Sequence, residues 1–298
     1  MPKAAQSPLR SIVHLSDLHF GRLDSDILPA LILDILAAKP DVIVVSGDLT
    51  QRARRHEFRQ ARDFLNALPF PKIVVPGNHD VPLYNVISRG LRPFANYRRY
   101  IGHDLEPGFA DSEIAVLGIN TARSFTFKNG RINRRQVAAT CARLQTYPRH
   151  VTRIVITHHP FDGPAAEGFG GLVGRANMAM AGFAGCHVDF FLSGHLHTTY
   201  VGHSASRYKI AGYSALIIQA GTATSTRRRG EANAYNIIRS ARPRVSVECV
   251  AWNPDLGEFA ISTIERFCHG PDGWAAEPRA GTITNELQEG PTNTIAAT

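Results

Sequence analysis

The chain has 298 residues, of which 44% are hydrophobic and 19% charged, with a formal net charge of +8. This is an ordinary globular balance, long enough for one large α/β domain or two small ones with a sizeable core. It holds no run near the roughly 20 apolar residues of a membrane span, since the longest, 27–38, is broken by Pro29 and Asp34. The first ten residues are polar and basic, without the apolar core of a secretory signal, so a cytoplasmic protein is expected. Cys141, Cys186, Cys249 and Cys268 show no paired spacing and predict free thiols in a reducing compartment, with no thiol-ligated zinc. The basic balance favours anionic partners: phosphates, nucleic acid or lipid head groups.

From the N-terminus, residues 11–16 (SIVHLS) form a short β-branched run typical of a buried strand. It ends in Asp17-Leu18-His19. Apolar residues at 27, 28, 31, 32, 35 and 36 predict an amphipathic helix over 26–38, with Ser25 and Asp26 as candidate caps. The run 41–46 (DVIVVS) leads into Gly47-Asp48, and a helix over 54–68 follows with Phe58, Ala61, Phe64, Leu65 and Leu68 on one face. The run 72–76 (KIVVP) leads into Gly77-Asn78-His79-Asp80. Strand and helix alternate over 11–76, which implies right-handed parallel crossovers.

Residues 81–112 mix prolines, tyrosines and arginines and predict a helical insertion near the mouth of a site. A strand over 113–120 and a helix over 133–144 come next. The run 153–157 (RIVIT) delivers His158-His159, and the glycine-rich stretch 162–174 predicts a mobile rim. After a helix over 175–184, the run 188–193 (VDFFLS) delivers Gly194-His195-Leu196-His197. Beyond it the pattern predicts strands alone, at 199–203, 208–213, 215–220, 234–239, 245–251 and 259–263, as a second, antiparallel sheet. A single domain is expected over 1–269, with 270–298 as a loosely ordered tail.

Five polar clusters thus follow five predicted strands, and in open α/β sheets sites form beyond the carboxyl ends of strands. Asp17, His19, Asp48, Asn78, one of His158 and His159, His195 and His197 supply seven oxygen and nitrogen donors. Seven exceed the needs of one tetrahedral ion but divide well between two divalent ions, and the mixture suits Mn, Fe or Zn better than calcium. Two ions about 3.5–4 Å apart need a bridging anion, for which a carboxylate is the natural choice. His14 is expected to pack inside the first strand. Arg22, Asn120 and Arg123 follow strands closely enough to reach a bound phosphate.

The five motifs, spanning residues 12–197, resemble those of the calcineurin-like metallophosphoesterases. The resemblance implies a four-layer αββα sandwich with two mixed β-sheets. It implies that Asp17, His19 and His197 hold one ion, that Asn78, His158 and His195 hold the other, and that Asp48 bridges them. In the HHP sequences of that family the first histidine is the ligand, which selects His158 and leaves His159 beside Arg22, Asn120 and Arg123 as a candidate substrate contact. His79 would donate to the leaving oxygen with Asp80 orienting its ring, while a metal-bridging hydroxide attacks phosphorus in line.

GDLT followed by a basic helix is similar to the compact bacterial phosphodiesterases, including those acting on cyclic nucleotides. Gln51 and Arg52 after GDLT, and Asp80 after the histidine, depart from the pattern of protein serine/threonine phosphatases. The alternatives are a nuclease, favoured by the basic clusters, and a hydrolase of phospholipid or sugar-nucleotide pyrophosphate, which an exposed apolar insertion over 81–112 would support. A non-catalytic scaffold is the third, but such chains lose ligands and none of the seven is missing.

Overall fold

The computed structural model describes residues 8–124, 126, 128–164, 171–226 and 230–277. Strand β1 (Arg10–Leu15) is followed by α1 (Ile27–Ala38), β2 (Val42–Val45), α2 (Arg55–Asn66) and β3 (Lys72–Val74). The insertion contributes α3 (Val86–Leu91), α4 (Ala95–Tyr100) and β4 (Gly108–Ala110). Then come β5 (Ile114–Gly118), α5 (Arg134–Gln145), β6 (Thr152–Ile156), α6 (Ala176–Gly185), β7 (Phe190–Ser193) and β8 (Tyr200–His203). A short α7 (Ser204–Arg207) precedes β9 (Leu216–Gln219), β10 (Ala234–Ala241), β11 (Arg244–Asn253), β12 (Glu258–Gly270) and β13 (Gly273–Ala276).

Two mixed sheets result, in the orders β13-β12-β11-β10-β1-β2-β3 and β4-β5-β6-β7-β9-β8. In the first, β1, β2 and β3 are parallel and β10 joins β1 antiparallel. In the second, β5, β6, β7 and β9 are parallel, flanked by antiparallel β4 and β8. The period-2 alternation of each strand divides its side chains between two cores. Ile12, Val42, Val44, Ile154, Ile156, Phe190 and Leu192 pack between the sheets. Val13, Leu15, Ile43 and Val45 face α1 and α2, whereas Val155, Phe191 and Ile217 face α5 and α6. The order is therefore helix, sheet, sheet, helix, the expected four layers. Both faces of the central strands are buried, which is why they read as unbroken apolar runs.

Four expectations are corrected. The late strands β10 to β13 pair antiparallel, but they extend the first sheet through β1 instead of forming a second one. Residues 208–213 are not a strand: Tyr208 N donates to Ser204 O at 2.8 Å, and its hydroxyl donates to Phe161 O, so the segment folds back under α7. Cys141 and Cys186 form a disulfide joining α5 to the end of α6, while Cys249 and Cys268 are free. That pairing removes the basis for placing the chain in a reducing compartment. Residues 273–276, expected to lie in a loose tail, are instead the edge strand β13, whose Trp274 is buried 5.1 Å from the ring of Phe190. Residues 278–298, and 165–170 of the predicted rim, lie outside the described residues.

Candidate metal centre

Three of the five polar clusters leave their strands through a left-handed turn of the backbone. Asp17, His19, Asp48, His195 and His197 all have positive φ, between 50° and 77°. Side chains seldom adopt that left-handed region, and its cost is met where surrounding contacts dictate the shape. Here Asp17 N donates to Gly47 O at 3.1 Å and His19 N to Asp48 O at 3.0 Å, so the first two clusters hold each other. The hydroxyls of Thr222 and Thr224 donate to the carbonyls of Asp17 and Leu18 at 2.7 and 2.8 Å. Two glycines are required by close approach: a Cβ at Gly77 would overlap the Asp48 carboxylate, and one at Gly194 would overlap the Ser16 hydroxyl.

The donor atoms gather in two groups. In the first, the Nε2 atoms of His19 and His197 are 3.2 Å apart, and Asp17 Oδ1 lies 3.6 and 3.2 Å from them. In the second, His158 Nε2 lies 3.1 Å from Asn78 Oδ1 and 3.3 Å from His195 Nδ1. Asp48 stands between, with Oδ1 3.4 Å from His158 Nε2 and Oδ2 3.8 Å from His19 Nε2. Each group draws from both sheets. Donor atoms converge in both, and the buried Asp17 Oδ1 has no hydrogen-bond partner among the described residues. This is a donor set that fits cations. The groupings Asp17, His19 and His197, and Asp17, Asp48 and His158, could each hold a metal ion.

Electrostatics agree with that fit. Burial opposes charge on Asp17 and Asp48, yet His197 and His19 hold Asp17 well below the usual carboxylate range, and His158 and His79 hold Asp48 below it. Burial lowers the His158 imidazole, but the Asp48 carboxylate outweighs it and raises the ring to about 9. Burial and the charge of His158 push His195 down to about 3, and burial also lowers His19. The carboxylates are thus anionic and the His19 and His195 rings neutral, as ligation requires. His158 carries the positive charge that a bound cation would replace.

His158 and His159 separate cleanly. His158 Nδ1 donates to Ser46 O at 2.8 Å, which turns Nε2 into the second group. His159 is committed on both sides, with Nδ1 2.9 Å from Thr121 Oγ1 and Nε2 3.0 Å from Lys128 O. Its ring packs 4.5 Å from that of His195, and with His158 and His195 it forms a third possible metal-holding grouping.

His79 lies at the edge of the centre. Its backbone N–H donates to Asp48 Oδ1 at 2.8 Å, and its ring crosses that of His19 at 4.9 Å. Its orientation comes from Gln51, whose carbonyl accepts from Nδ1 at 2.9 Å, and not from Asp80 as expected. Asp80 instead accepts from Gly77 N, Leu49 N and the Thr50 N–H and hydroxyl, so it fixes the loop. Burial, reinforced by Asp48, raises its carboxyl to about 7.

Asn120 and Arg123 are both tied into the loop before α5. Asn120 Oδ1 accepts from Ala122 N, and Arg123 donates to Arg131 O and to Gln136 Oε1, so both fasten the approach to α5. Arg22 is exposed on the turn after His19, and its carbonyl accepts from Thr226 N at 3.1 Å. Sequence reasoning missed Ser16, whose hydroxyl donates to Asp17 Oδ2 at 2.6 Å, and the supporting role of Thr222 and Thr224.

The profile of the calcineurin-like phosphoesterases matches residues 10–199. This chain belongs to that family. Among curated relatives of this calcineurin-like phosphoesterase, the glycerophosphodiester phosphodiesterase GpdQ of Enterobacter lignolyticus is 38% identical over 82 residues, covering 23% of this chain and 29% of that protein. A probable cyclic nucleotide phosphodiesterase of a Synechococcus species is 28% identical over 93 residues, covering 28% of this chain and 36% of its own length. The matches therefore span only 29% and 36% of those relatives. The purple acid phosphatase PPD1 of yellow lupin seeds shares the fold, with a TM-score of 0.66 at 12% identity over 99% of this chain and 58% of that one. Among the described residues, no helix is long and apolar enough to cross a membrane.

Proposed function

We propose that this calcineurin-like phosphoesterase is a phosphodiesterase working with two divalent metal ions, Mn, Fe or Zn. The observation that carries the reading is Asp48, whose two oxygens face one donor group each, at 3.4 and 3.8 Å. In this reading Asp17, His19 and His197 hold one ion, Asn78, His158 and His195 hold the other, and Asp48 bridges. When bound, the pair supplies hydroxide near neutral pH and offsets charge on the phosphoryl oxygens.

The chain's own residues do the rest. The Gln51 carbonyl accepts a hydrogen bond from His79 Nδ1–H, which fixes the ring and leaves Nε2 to pass a proton to the leaving oxygen. Asp80 holds Gly77, Leu49 and Thr50 and so keeps Asp48 and His79 in register. Thr222 and Thr224 hold the Asp17 loop in its left-handed shape.

Diester preference is supported by the two relatives named as phosphodiesterases and by Gln51, Arg52 and Asp80, which depart from the protein phosphatase pattern. A lipid-borne diester is a second reading with its own support. Tyr84, Val86, Ile87 and Leu91 in the insertion are 73–79% exposed, and the Arg52 guanidinium lies 5.3 Å over the Tyr84 ring. The deciding experiment is Mn²⁺-dependent hydrolysis of an aryl phosphodiester beside the matching monoester. The expected result is a diester preference of about tenfold or more in kcat/KM. A monoester preference, or activity on neither, rejects the reading. Glycerophosphodiesters, cyclic nucleotides and lipid diesters then separate the substrate classes.

A further inference from the structure

Strands β6 and β7 run from one end of the molecule to the metal centre at the other. At the far end, about 16 Å from His158 at the rise of an extended strand, a cavity of about 260 Å³ gathers Arg149, Arg153, Arg242, His187 and His269 around a single carboxylate, Asp189. Asp189 is 4% exposed and its oxygens are already engaged. Oδ2 accepts from Arg153 N at 2.9 Å, and Oδ1 accepts from Arg242 Nη1 and Trp274 Nε1, both at 2.8 Å.

Arg153 is 6% exposed, and its terminal nitrogens donate to Cys186 O at 2.6 Å and Tyr147 O at 3.0 Å, capping the ends of α6 and α5. Its Nε is buried with no hydrogen-bond partner. Arg149 stands exposed at the rim with no hydrogen bond or ion pair among the described residues. One carboxylate and two helix ends therefore face three guanidiniums, and the cavity keeps a surplus of positive charge and unused N–H donors. Such a surplus beside a buried arginine is the setting that takes an oxyanion.

We infer that this cavity is a second anion site, distinct from the metal centre, that takes a phosphate group. Arg149 supplies the outer contact and Arg242 and Arg153 the inner ones. The group is either free orthophosphate or the terminus of a phosphomonoester. Trp274 lies behind the lining, its indole N–H on Asp189 Oδ1 and the Arg242 guanidinium 5.9 Å over its ring, so an anion drawn to Arg242 alters its surroundings. The chain has two tryptophans, and Trp252→Phe leaves Trp274 as the sole reporter.

The test titrates the full-length Trp252→Phe protein, as purified, with orthophosphate and separately with adenosine monophosphate, at ionic strength held constant with chloride. Calorimetry on the unmodified chain runs alongside. A saturable change in Trp274 emission is expected. With Arg149→Gln, an exposed change that leaves the fold intact, the midpoint shifts at least about tenfold higher, the loss expected for one charge-assisted hydrogen bond. Binding at the metal centre is common to both proteins and cancels. Tighter orthophosphate assigns the free ion, and tighter nucleotide assigns the monoester. No saturable response, or the same midpoint with and without Arg149, overturns the inference.

Discussion

His14 offers a direct test of how the floor beneath the metal centre is built. It lies on β1, fully buried, with Nε2 3.0 Å from the hydroxyl of Ser46 on β2. The residues that follow on the two strands include Asp17 and Asp48. Burial lowers this imidazole to about 3, against an ordinary value of about 6.5 in the unfolded chain. The native ring therefore stays neutral while the unfolded chain gains a proton as pH falls below about 6.5. The stabilisation is complete above the unfolded value and is lost as pH drops toward 3. At pH 5 the loss is about 1.36 × 1.5, or about 2 kcal/mol, relative to pH 8. His14→Asn keeps a polar partner for Ser46 but cannot titrate. Urea unfolding of both proteins at pH 8 and pH 5 should show the unmodified chain losing about 2 kcal/mol more than the variant. The other histidines are shared and cancel in the difference. Equal losses would show that His14 takes up a proton in the folded state, and that the space between the sheets admits charge.

Further outcomes follow from the centre itself. Asp48→Asn should lower metal content, read by elemental mass spectrometry, and cut turnover about a hundredfold, the scale of a disturbed ligand shell. Full dimetal loading with an unchanged rate would remove Asp48 from the bridging position. His79→Ala should keep both metals and lose about a hundred- to ten-thousandfold in kcat, flattening one limb of the pH–rate profile. Loss of metal instead would make His79 a ligand. Thr222→Val should cost about 1 kcal/mol in unfolding and weaken metal binding, because the Asp17 carbonyl loses its donor. Thr222→Ser should restore both, and a Thr222→Val protein with unchanged metal affinity would count against the loop-holding role.

The strands that deliver the donors were legible because their signal is local: each is a short β-branched run buried on both faces, followed at once by Asp, Asn or His. The αββα layering followed from the resemblance those clusters carry. What escaped the sequence was set by partners far away in the chain. Residues 208–213 have strand-like composition, but the bond from Tyr208 N to Ser204 O and the Phe161 contact override it. Cys141 and Cys186 are 45 residues apart and meet only because α5 packs on α6. Trp274 looked like part of a polar tail until Phe190 and Asp189 provided its pocket. Asn120 and Arg123 sit near a strand end as predicted, yet Gln136 and Arg131 draw Arg123 toward α5. Position after a strand places a residue at the correct edge of a sheet but does not say which way its side chain turns.

The meeting of His19 and His197 spans 178 positions of the chain, and His19 comes from one sheet while His197 comes from the other. A cation held between them would act as a removable cross-link. Closing a loop of that length withdraws about 5 kcal/mol of freedom from the unfolded chain, so with a metal bound there the cohesion between the two halves would depend on the supply of free metal. Chelation then separates two things that an activity assay merges, the loss of the reaction and the loosening of the sandwich. Resistance to proteolysis, followed as metal is withdrawn, would tell them apart.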